Sequence, residues 1–384
     1  MRGADFANGT YTPWIAVYSE FTMVTQTPAA TAASTLAKIV ACTSAYGKGG
    51  LGRHFAEIVD EARAEGRLER YYSRWGNGDD PASVALPQRV TPWLAYTPFR
   101  YSPGWLNHLE NDLFDQAVAR ALEPADEFEG FGGQTLHSFR RARQLGYCHL
   151  AMQAANSHVN NVKAQHQKAL SRWPFERSWL NEAQRRKTLK EYALADTIYV
   201  ASEYTRQSFL AQGVPATKLK KRIFQVNPRF VPPAQRPSAS GLRVMYCGSL
   251  TVAKGIPVLV EAFAQMADPS AELTLVGGWA TRGMKRYLLD WMARDSRIRV
   301  APGDPLPHLH RATVCVHPSY EDGLAYAPME ALACGVPAIV SADTGMKDYI
   351  REGVNGYVVP TGDIDALVDR LVTCQTTPLA GGLL

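Results

Sequence analysis

The stretch PSYEDGLAYAPMEALACGVPAIVSAD, residues 318–343, reads as the end of one strand, a helix and the next strand. Apolar runs directly before it and at 338–341 predict buried strands. A helix is predicted over Tyr326 to Ala333, because Pro328 suits its first turn and Gly335 follows its last. Such a strand–helix–strand unit is the repeating element of a parallel α/β sheet.

The start of this predicted helix suits a ligand that carries both phosphates and hydroxyl groups. Unpaired backbone N–H groups and the positive end of the helix dipole attract anions. Asp322 precedes the helix, and Glu330 lies within it. Since carboxylates repel phosphates but accept hydrogen bonds from hydroxyls, the pattern indicates that they bind ribose and sugar while the N–H groups bind the phosphates.

The same stretch resembles the acidic–x7–acidic motif of the retaining GT-B glycosyltransferases of family 4. In that family a Glu-Gly-Phe-Gly-Leu-like turn opens a helix that ends Glu-Ala-Met-Ala-Cys-Gly-x-Pro. Asp322 stands at the first acidic position, Glu330 stands at the second, and residues 331–337 match almost one for one. An ordinary amphipathic helix with a solvated glutamate is the alternative. The resemblance implies that the donor is bound by Glu330, Gly323, Leu324, Ala325 and Tyr326.

A second predicted phosphate loop, Gly248 to Gly255, follows the first strand of the C-terminal half. In the family this loop carries Gly-Arg-Leu and then Lys-Gly, and its two cations stabilise the donor diphosphate. Lys254 matches, whereas Ser249 stands where the arginine would be. The resemblance assigns Gly248 and Ser249 to donor binding and assigns Lys254 and Asp322 to catalysis.

A glycine-rich loop, GKGGLG at 47–52, follows a predicted strand at 36–43 and precedes a predicted helix at 53–65. This arrangement is typical of dinucleotide-binding turns. In the glycosyltransferase interpretation, Lys48, Gly49 and Gly50 form a loop that faces the cleft from the acceptor side. The alternative is a tight turn that requires positive φ angles.

His158 follows a predicted strand over Tyr147 to Gln153. The carboxyl ends of parallel strands are where α/β sheets bind ligands, so we expect this imidazole at the mouth of the cleft. It resembles the cleft histidine of many family members and is our third catalytic candidate. The alternative is a histidine satisfied by local hydrogen bonds.

The length of 384 residues suits two domains. We predict a leader over 1–35, flexible or folded against the first domain, an acceptor-side domain over 36–230, a linker over 231–241 and a nucleotide-sugar domain over 242–384. The predicted fold is α/β of the GT-B type, with two Rossmann-like parallel-sheet domains facing across a cleft. A loop is expected at 126–134. Strands of the second domain are expected at 243–247, 272–276, 298–300, 313–316, 337–340 and 356–359.

Composition narrows the range of functions. The net charge of +5 is too small to indicate nucleic-acid binding, and the chain has no apolar run long enough to span a membrane. Six cysteines without metal-binding spacing indicate reduced thiols and a cytoplasmic location. The basic, aromatic segment 163–192 could contact the inner face of an anionic membrane, or could be a solvated helical face.

The resemblance therefore predicts transfer of a sugar from a nucleotide-sugar donor to a glycan, lipid or small-molecule acceptor. It implies retention of anomeric configuration, with no metal and no cofactor. Two alternatives are a nucleotide-sugar 2-epimerase and a catalytically silent homologue that binds a nucleotide sugar as a partner subunit. A dehydrogenase is a third, because of the glycine-rich loop.

Overall fold

The computed structural model describes residues 36–78, 80–87, 96–97, 102–236, 241–377, 379 and 381–382. The leader expected over 1–35 and residues 237–240 of the expected linker lie outside the described residues. The described chain forms two parallel sheets, in agreement with the predicted fold class.

The first sheet has seven parallel strands in the order β3-β2-β1-β4-β5-β6-β7. These strands are β1 (Lys38–Ala41), β2 (Leu68–Ser73), β3 (Ser83–Ala85), β4 (Glu127–Phe131), β5 (His149–Ala154), β6 (Thr197–Val200) and β7 (Leu219–Lys221). The connecting helices are α1 (Gly49–Ala64), α2 (Pro103–Ala121), α3 (Leu136–Gln144), α4 (Val159–Arg172), α5 (Glu182–Leu194) and α6 (Glu203–Leu210).

The second sheet has six parallel strands in the order β10-β9-β8-β11-β12-β13. These strands are β8 (Arg243–Cys247), β9 (Glu272–Val276), β10 (Ile298–Val300), β11 (Val314–His317), β12 (Ala338–Ser341) and β13 (Gly356–Val359). The helices are α7 (Ile256–Ala264), α8 (Arg282–Arg294), α9 (Leu306–Leu309), α10 (Tyr326–Ala333) and α11 (Ile364–Thr376), with a 3-10 turn over Gly345–Tyr349.

The loop predicted over 126–134 is wrong, because β4 occupies the centre of the first sheet. Its acidic residues hid the strand from sequence reasoning. Glu129 is fully buried, accepts a hydrogen bond from Lys38 Nζ at 2.5 Å and is also ion-paired with Arg222. Phe128 between the acidic positions packs in the core of this sheet. A buried charge is tolerated when it is paired in this way.

Residues 168–177, which we call the crossover segment, leave the first domain and dock on the second. Trp173 is buried in the apolar core beneath the second sheet, and its Nε1 donates to Glu261 at 2.9 Å. Lys168 Nζ donates to the carbonyl of Thr361 at 3.0 Å. The two domains are therefore joined by side-chain packing as well as by the chain that links them.

This docking changes the interpretation of the basic, aromatic segment. Trp173 is buried, and Phe175 stacks on Tyr287 of the second domain with ring centroids 5.1 Å apart. Lys187 is buried between Asp112 and Asp115, with its Nζ 2.8 Å from each carboxylate. These residues hold the protein together, so they do not form a membrane-contacting surface.

Within the described part of the chain, no helix combines the length and apolar character that a membrane crossing requires. All six cysteines are unpaired thiols. Cys148 is exposed, whereas the other five are buried or half-buried, so most of them are core residues as expected.

Candidate functional site

The carboxyl ends of strands from both sheets meet at one boundary. Glu321, in the loop after β11, accepts hydrogen bonds from Ser157 N at 2.7 Å and from Asn156 Nδ2 at 2.8 Å. Ser202, which follows β6, donates through Oγ to the carbonyl of Gly323 at 2.7 Å. Because parallel α/β sheets bind ligands at these strand ends, this boundary is the candidate site.

Two glycines allow the backbones of the two domains to approach closely here. A Cβ on Gly323 would lie 2.3 Å from the carbonyl oxygen of Ala155. A Cβ on Gly345 would lie 1.9 Å from the oxygen of Gly323 and 2.5 Å from Cβ of Ser202. These three distances are too short for any side chain, so both positions require glycine.

The loop 248–255 packs directly against the loop after β11. Tyr320 N donates to the carbonyl of Ala253 at 2.9 Å. Gly255 has φ of 72°, and a Cβ there would lie 2.0 Å from the oxygen of Pro318. The two loops that the sequence assigned to the donor therefore lie side by side.

Lys254 and Asp322 are brought together by this packing. Lys254 Nζ donates to Asp322 Oδ2 at 2.5 Å, and His317 Nε2 lies 3.2 Å from the same oxygen. Burial acts to raise the pKa of Asp322, but Lys254 and His317 hold that pKa well below its usual value. Burial acts to lower the pKa of Lys254, and the Asp322 carboxylate outweighs it, so that pKa is raised. The pair is therefore fully charged near neutral pH.

Glu330 is buried and ion-paired with Arg53, a residue in the first turns of α1 that the sequence analysis missed. The Arg53 guanidinium also lies 4.2 Å from the centroid of the Tyr326 ring. Burial raises the pKa of Glu330, and the positive charge of Arg53 opposes this rise. The hydroxyl of Tyr326 donates to Glu57 of α1 at 2.8 Å, which adds a second contact between α1 and α10.

The other residues predicted to bind the donor differ in whether their side chains are exposed or buried. Ser249 is exposed, and its carbonyl accepts a hydrogen bond from Tyr246 Oη at 3.0 Å. A Cβ on Gly248 would lie 2.9 Å from that same Oη. Leu324 and Ala325 pack in an apolar cluster, so a ligand would meet their backbone rather than their side chains. None of the described side chains caps the start of α10, which leaves its first N–H groups for a ligand.

Lys48, Gly49 and Gly50 lie at the start of α1 and are exposed. A Cβ added to either glycine would meet nothing within 4 Å. Gly49 has φ of 68°, so the positive φ of a tight turn accounts for one of the two glycines. Because Arg53 on the same helix contacts Glu330, this end of α1 lies on the side of the first domain that faces the second.

The prediction that His158 faces the cleft is wrong, because its ring packs inside the first domain. It caps the start of α4, where its Nδ1 accepts a hydrogen bond from Asn160 N at 3.2 Å. Its ring contacts Tyr192 and Phe209 at centroid distances of 4.9 and 5.2 Å. Burial lowers its pKa to about 4, so it is a neutral structural histidine rather than a catalytic one.

A different histidine lies at the domain boundary. His54 on α1 stacks on Phe224 at 3.9 Å, and its ring centroid lies 5.0 Å from that of Tyr326. It is buried, and its Nδ1 has no hydrogen-bond partner among the described residues. Burial lowers its pKa to about 4. In the sequence, the feature that could have identified His54 is its position two residues after the glycine-rich loop.

A cavity of about 270 Å³ opens at the carboxyl ends of β1, β4 and β5. One wall includes Trp179, whose surface is 40% exposed. None of the described residues that line the cavity carries a formal charge. Its polar lining is made of amides and hydroxyls, from Thr43, Asn107, Asn111, Gln134, Asn156, Ser157, Gln184, Thr188 and Tyr192.

One group of side chains in the described part of the chain has ligand atoms close enough to share a metal ion, namely Asp112, Asp115 and His137. The ammonium of Lys187 lies 2.8 Å from both carboxylates. Lys187 therefore occupies the position of a cation in this cluster, and we assign the cluster no metal.

The sequence profile of the family described as Glycosyl transferases group 1 matches residues 241–376. The chain is 30% identical over 149 residues to a D-inositol 3-phosphate glycosyltransferase of Kribbella flavida, which covers 35% of each protein. It is 25% identical over 194 residues to the amylovoran biosynthesis glycosyltransferase of Erwinia amylovora, covering 47% of this chain and 48% of that one. The chain thus spans about a third to a half of the length of these curated relatives.

Solved structures resemble the protein over most of its length. Sucrose-phosphate synthase from Thermosynechococcus elongatus matches with a TM-score of 0.69 and 21% identity, covering 89% of this chain and 90% of that one. Anabaena HepE in complex with UDP and glucose matches with a TM-score of 0.62 and 15% identity, covering 90% and 92%. These likenesses confirm the predicted GT-B fold.

Proposed function

We propose that the protein transfers a sugar from a nucleotide-sugar donor to an acceptor, because residues 241–376 match the sequence profile of the glycosyl transferases group 1 family. One observation carries the proposal. Within the matched region, Lys254 lies against Asp322 at the boundary with the first domain. A cation for a diphosphate and a carboxylate for a sugar hydroxyl are thereby side by side, at the strand ends where ligands bind in such folds.

The donor is proposed to lie along the loop 248–255 and the start of α10. Glu330 would accept hydrogen bonds from the ribose, and the uncapped N–H groups of α10 would bind a phosphate. Lys254 would neutralise the charge of the leaving diphosphate. Asp322 has one oxygen engaged by Lys254 and His317, and its other oxygen could accept from a sugar hydroxyl.

The reaction is proposed to proceed with retention and without a metal or a covalent protein intermediate. The bond from the anomeric carbon to the diphosphate oxygen breaks, and the acceptor oxygen bonds to the same face of that carbon. The acceptor proton passes to the departing diphosphate. The protein then contributes positioning and charge stabilisation rather than a nucleophile.

The acceptor is proposed to bind in the cavity of the first domain. That cavity adjoins the boundary through Asn156 and Ser157, both of which contact Glu321. Amides and hydroxyls suit the hydroxyl groups of a sugar, and the exposed face of Trp179 suits its apolar ring face. Since no described lining residue is charged, the supported acceptor is a glycan or lipid-linked glycan whose bound sugar is neutral.

The first experiment is a thermal-shift screen of the protein against UDP, GDP, ADP and their common sugar conjugates. UDP conjugates come first, because the similar HepE structure contains UDP and glucose. We expect the compounds of one nucleobase to raise the Tm of the protein in a concentration-dependent manner. If none of these compounds binds, the proposal is wrong.

The donor selected by this screen then separates the function classes. A transferase forms a glycoside when a neutral sugar acceptor is added, and hydrolyses the donor slowly without one. A 2-epimerase releases nucleotide and free sugar epimer regardless of acceptor. A silent homologue binds the donor without turnover, so acceptor-dependent product is the outcome that supports transfer.

A cytoplasmic location and membrane contact are also proposals. The exposed part of the segment 163–192, which includes Arg186 and Lys190, is the surface available for anionic lipid. Flotation with vesicles of neutral or anionic lipid tests this, and equal recovery from both would exclude an electrostatic contact.

A further inference from the structure

We propose that Arg53, contributed by the first domain, binds the donor diphosphate. It would take the role of the arginine that the resembling family carries at the position of Ser249. This inference rests on the proposed function, because it presupposes a nucleotide-sugar donor. It assigns a phosphate-binding role to a residue on the opposite side of the domain boundary from the loop 248–255.

The second-domain loop by itself is poorly equipped for two phosphates. Lys254 is the single cationic side chain in the loop 248–255, and Asp322, whose carboxylate lies 2.5 Å from its Nζ, competes with a diphosphate for its charge. Ser249 offers one hydroxyl and no charge. A diphosphate leaving group is stabilised most strongly by charge-assisted and bidentate donors, and a guanidinium supplies both.

Arg53 is close enough to supply that guanidinium. It is bonded to Glu330 of α10 and lies 4.2 Å from the Tyr326 ring centroid, at the start of the same helix. The positive charge of Arg53 also acts on the end of β8. Burial raises the pKa of the Cys247 thiol, and the charge of Arg53 partly counteracts that rise. Cys247 lies two residues before Ser249, so Arg53 is near both donor-side elements.

The ion pair with Glu330 couples Arg53 to the residue that is proposed to bind the ribose. A buried glutamate without a partner is costly, and Arg53 satisfies it. When ribose hydroxyls donate hydrogen bonds to Glu330, the guanidinium of Arg53 loses its ion-pair partner. A diphosphate beside α10 then provides the next anion for it, so donor binding exchanges one charged contact for another.

The test compares nucleosides with nucleoside diphosphates. Calorimetric titrations would use uridine and UDP, or guanosine and GDP, or adenosine and ADP, according to the base that the thermal-shift screen selects. Arg53→Gln should weaken diphosphate binding by about tenfold to a hundredfold, as expected for loss of a hydrogen bond to a charged group. The same variant should leave nucleoside binding unchanged or tighter, because Glu330 is no longer occupied.

The matched control is Arg63→Gln, on the same helix, which removes a surface ion pair with Asp80 and should leave both affinities unchanged. A second variant, Arg53→Lys, keeps the charge and loses the fork, and should fall between the wild type and Arg53→Gln. In the double variant Arg53→Gln/Ser249→Arg, the new arginine should restore most of the lost diphosphate affinity, because position 249 is exposed beside the same site.

The outcomes separate this inference from the proposed function. If the wild type binds none of the three diphosphates, the proposed function fails and the inference fails with it. If the wild type binds a diphosphate and Arg53→Gln binds it equally well, the inference alone is wrong. An equal loss of nucleoside and diphosphate affinity would also contradict it, because Arg53 would then act only on the structure around Glu330.

Discussion

The contact of Lys254 with Asp322 sets the charge state of the site across a wide pH range. The folded-state pKa of Asp322 lies below its ordinary value of 3.8, so its contribution to stability is present above that value and is lost as pH falls further. The folded-state pKa of Lys254 lies above its ordinary value of 10.5, so its contribution is lost only as pH rises through the raised value. Between these limits the pair stays ionised.

Substituting Lys254 by Met should therefore lower stability near neutral pH. Asp322 would lose its main positive partner and its pKa would rise, so the stability that the ionised carboxylate contributes above pH 3.8 would be lost. The difference in stability from the wild type should shrink as pH falls, because the wild type loses the same contribution in acid. Turnover should fall by about a hundredfold or more, as on loss of a preorganised charge. Urea denaturation at neutral and acid pH and steady-state kinetics measure the two effects. Lys285→Met on α8 is the control, and a stability difference that stays constant from neutral to acid pH would contradict the expectation.

Glu330→Gln should weaken nucleotide binding by about 1.5–3 kcal/mol, the range for a hydrogen bond to a charged group. Glutamine keeps the shape of the side chain and removes the charge that ribose hydroxyls and Arg53 both use. Isothermal titration with the selected diphosphate checks this, with Glu272→Gln on β9 as the control. Unchanged affinity in a folded variant would remove Glu330 from the donor site.

At the residue scale, the sequence identified site residues that belong to short local motifs, but not those whose contacts are distant in the chain. Asp322, Glu330 and Lys254 could be named because each lies in a short turn-and-helix pattern. Arg53 could not, since its partner Glu330 lies 277 residues away. His158 was misjudged because position after a strand does not determine the direction of a side chain, and Tyr192 and Phe209 provide an apolar site within the first domain.

At the element scale, the strands of the second domain were predicted accurately, as were the positions of β1 and β5 in the first domain, whereas β3, β4 and β7 were missed. Strands β8, β9, β10 and β13 have the predicted bounds, because continuous apolar runs separated by glycine and proline mark buried parallel strands. Strand β4 carries paired glutamates, and the edge strands β3 and β7 have three residues each, which leaves little pattern to detect. Helix α2 was also missed.

The glycine contacts between elements lead to a third prediction. Gly323→Ala should force the loop after β11 away from Ala155, and so separate the elements that form the site. A misplacement of about 1 Å can cost about a hundredfold in rate, so we expect turnover to fall by that order. Gly76→Ala, where a Cβ would meet only Ala85 at 3.6 Å, is the control. Kinetics and circular dichroism together show whether activity is lost in a folded protein.

At the scale of the whole molecule, the crossover segment determines whether the two domains unfold together. Trp173→Ala should destabilise the protein by about 3–5 kcal/mol, as for other large buried aromatic side chains, and should separate the unfolding of the two domains. Urea denaturation followed by fluorescence and circular dichroism tests this. Trp75→Ala, at a side chain that is 53% exposed, should change stability by less than about 0.5 kcal/mol. Equal destabilisation by both variants would mean that the docking of Trp173 contributes nothing specific.

Glu321 and Asp322 are neighbours in the chain, yet Glu321 contacts the proposed acceptor site and Asp322 contacts the proposed donor site. Glu321 binds Asn156 and Ser157, which line the cavity, while Asp322 binds Lys254. A ligand that moves either contact also moves the peptide bond between the two residues. Thermodynamic linkage then requires reciprocity: the factor by which bound acceptor alters donor affinity equals the factor by which bound donor alters acceptor affinity. Two adjacent carboxylates would thus make each substrate an effector of the other.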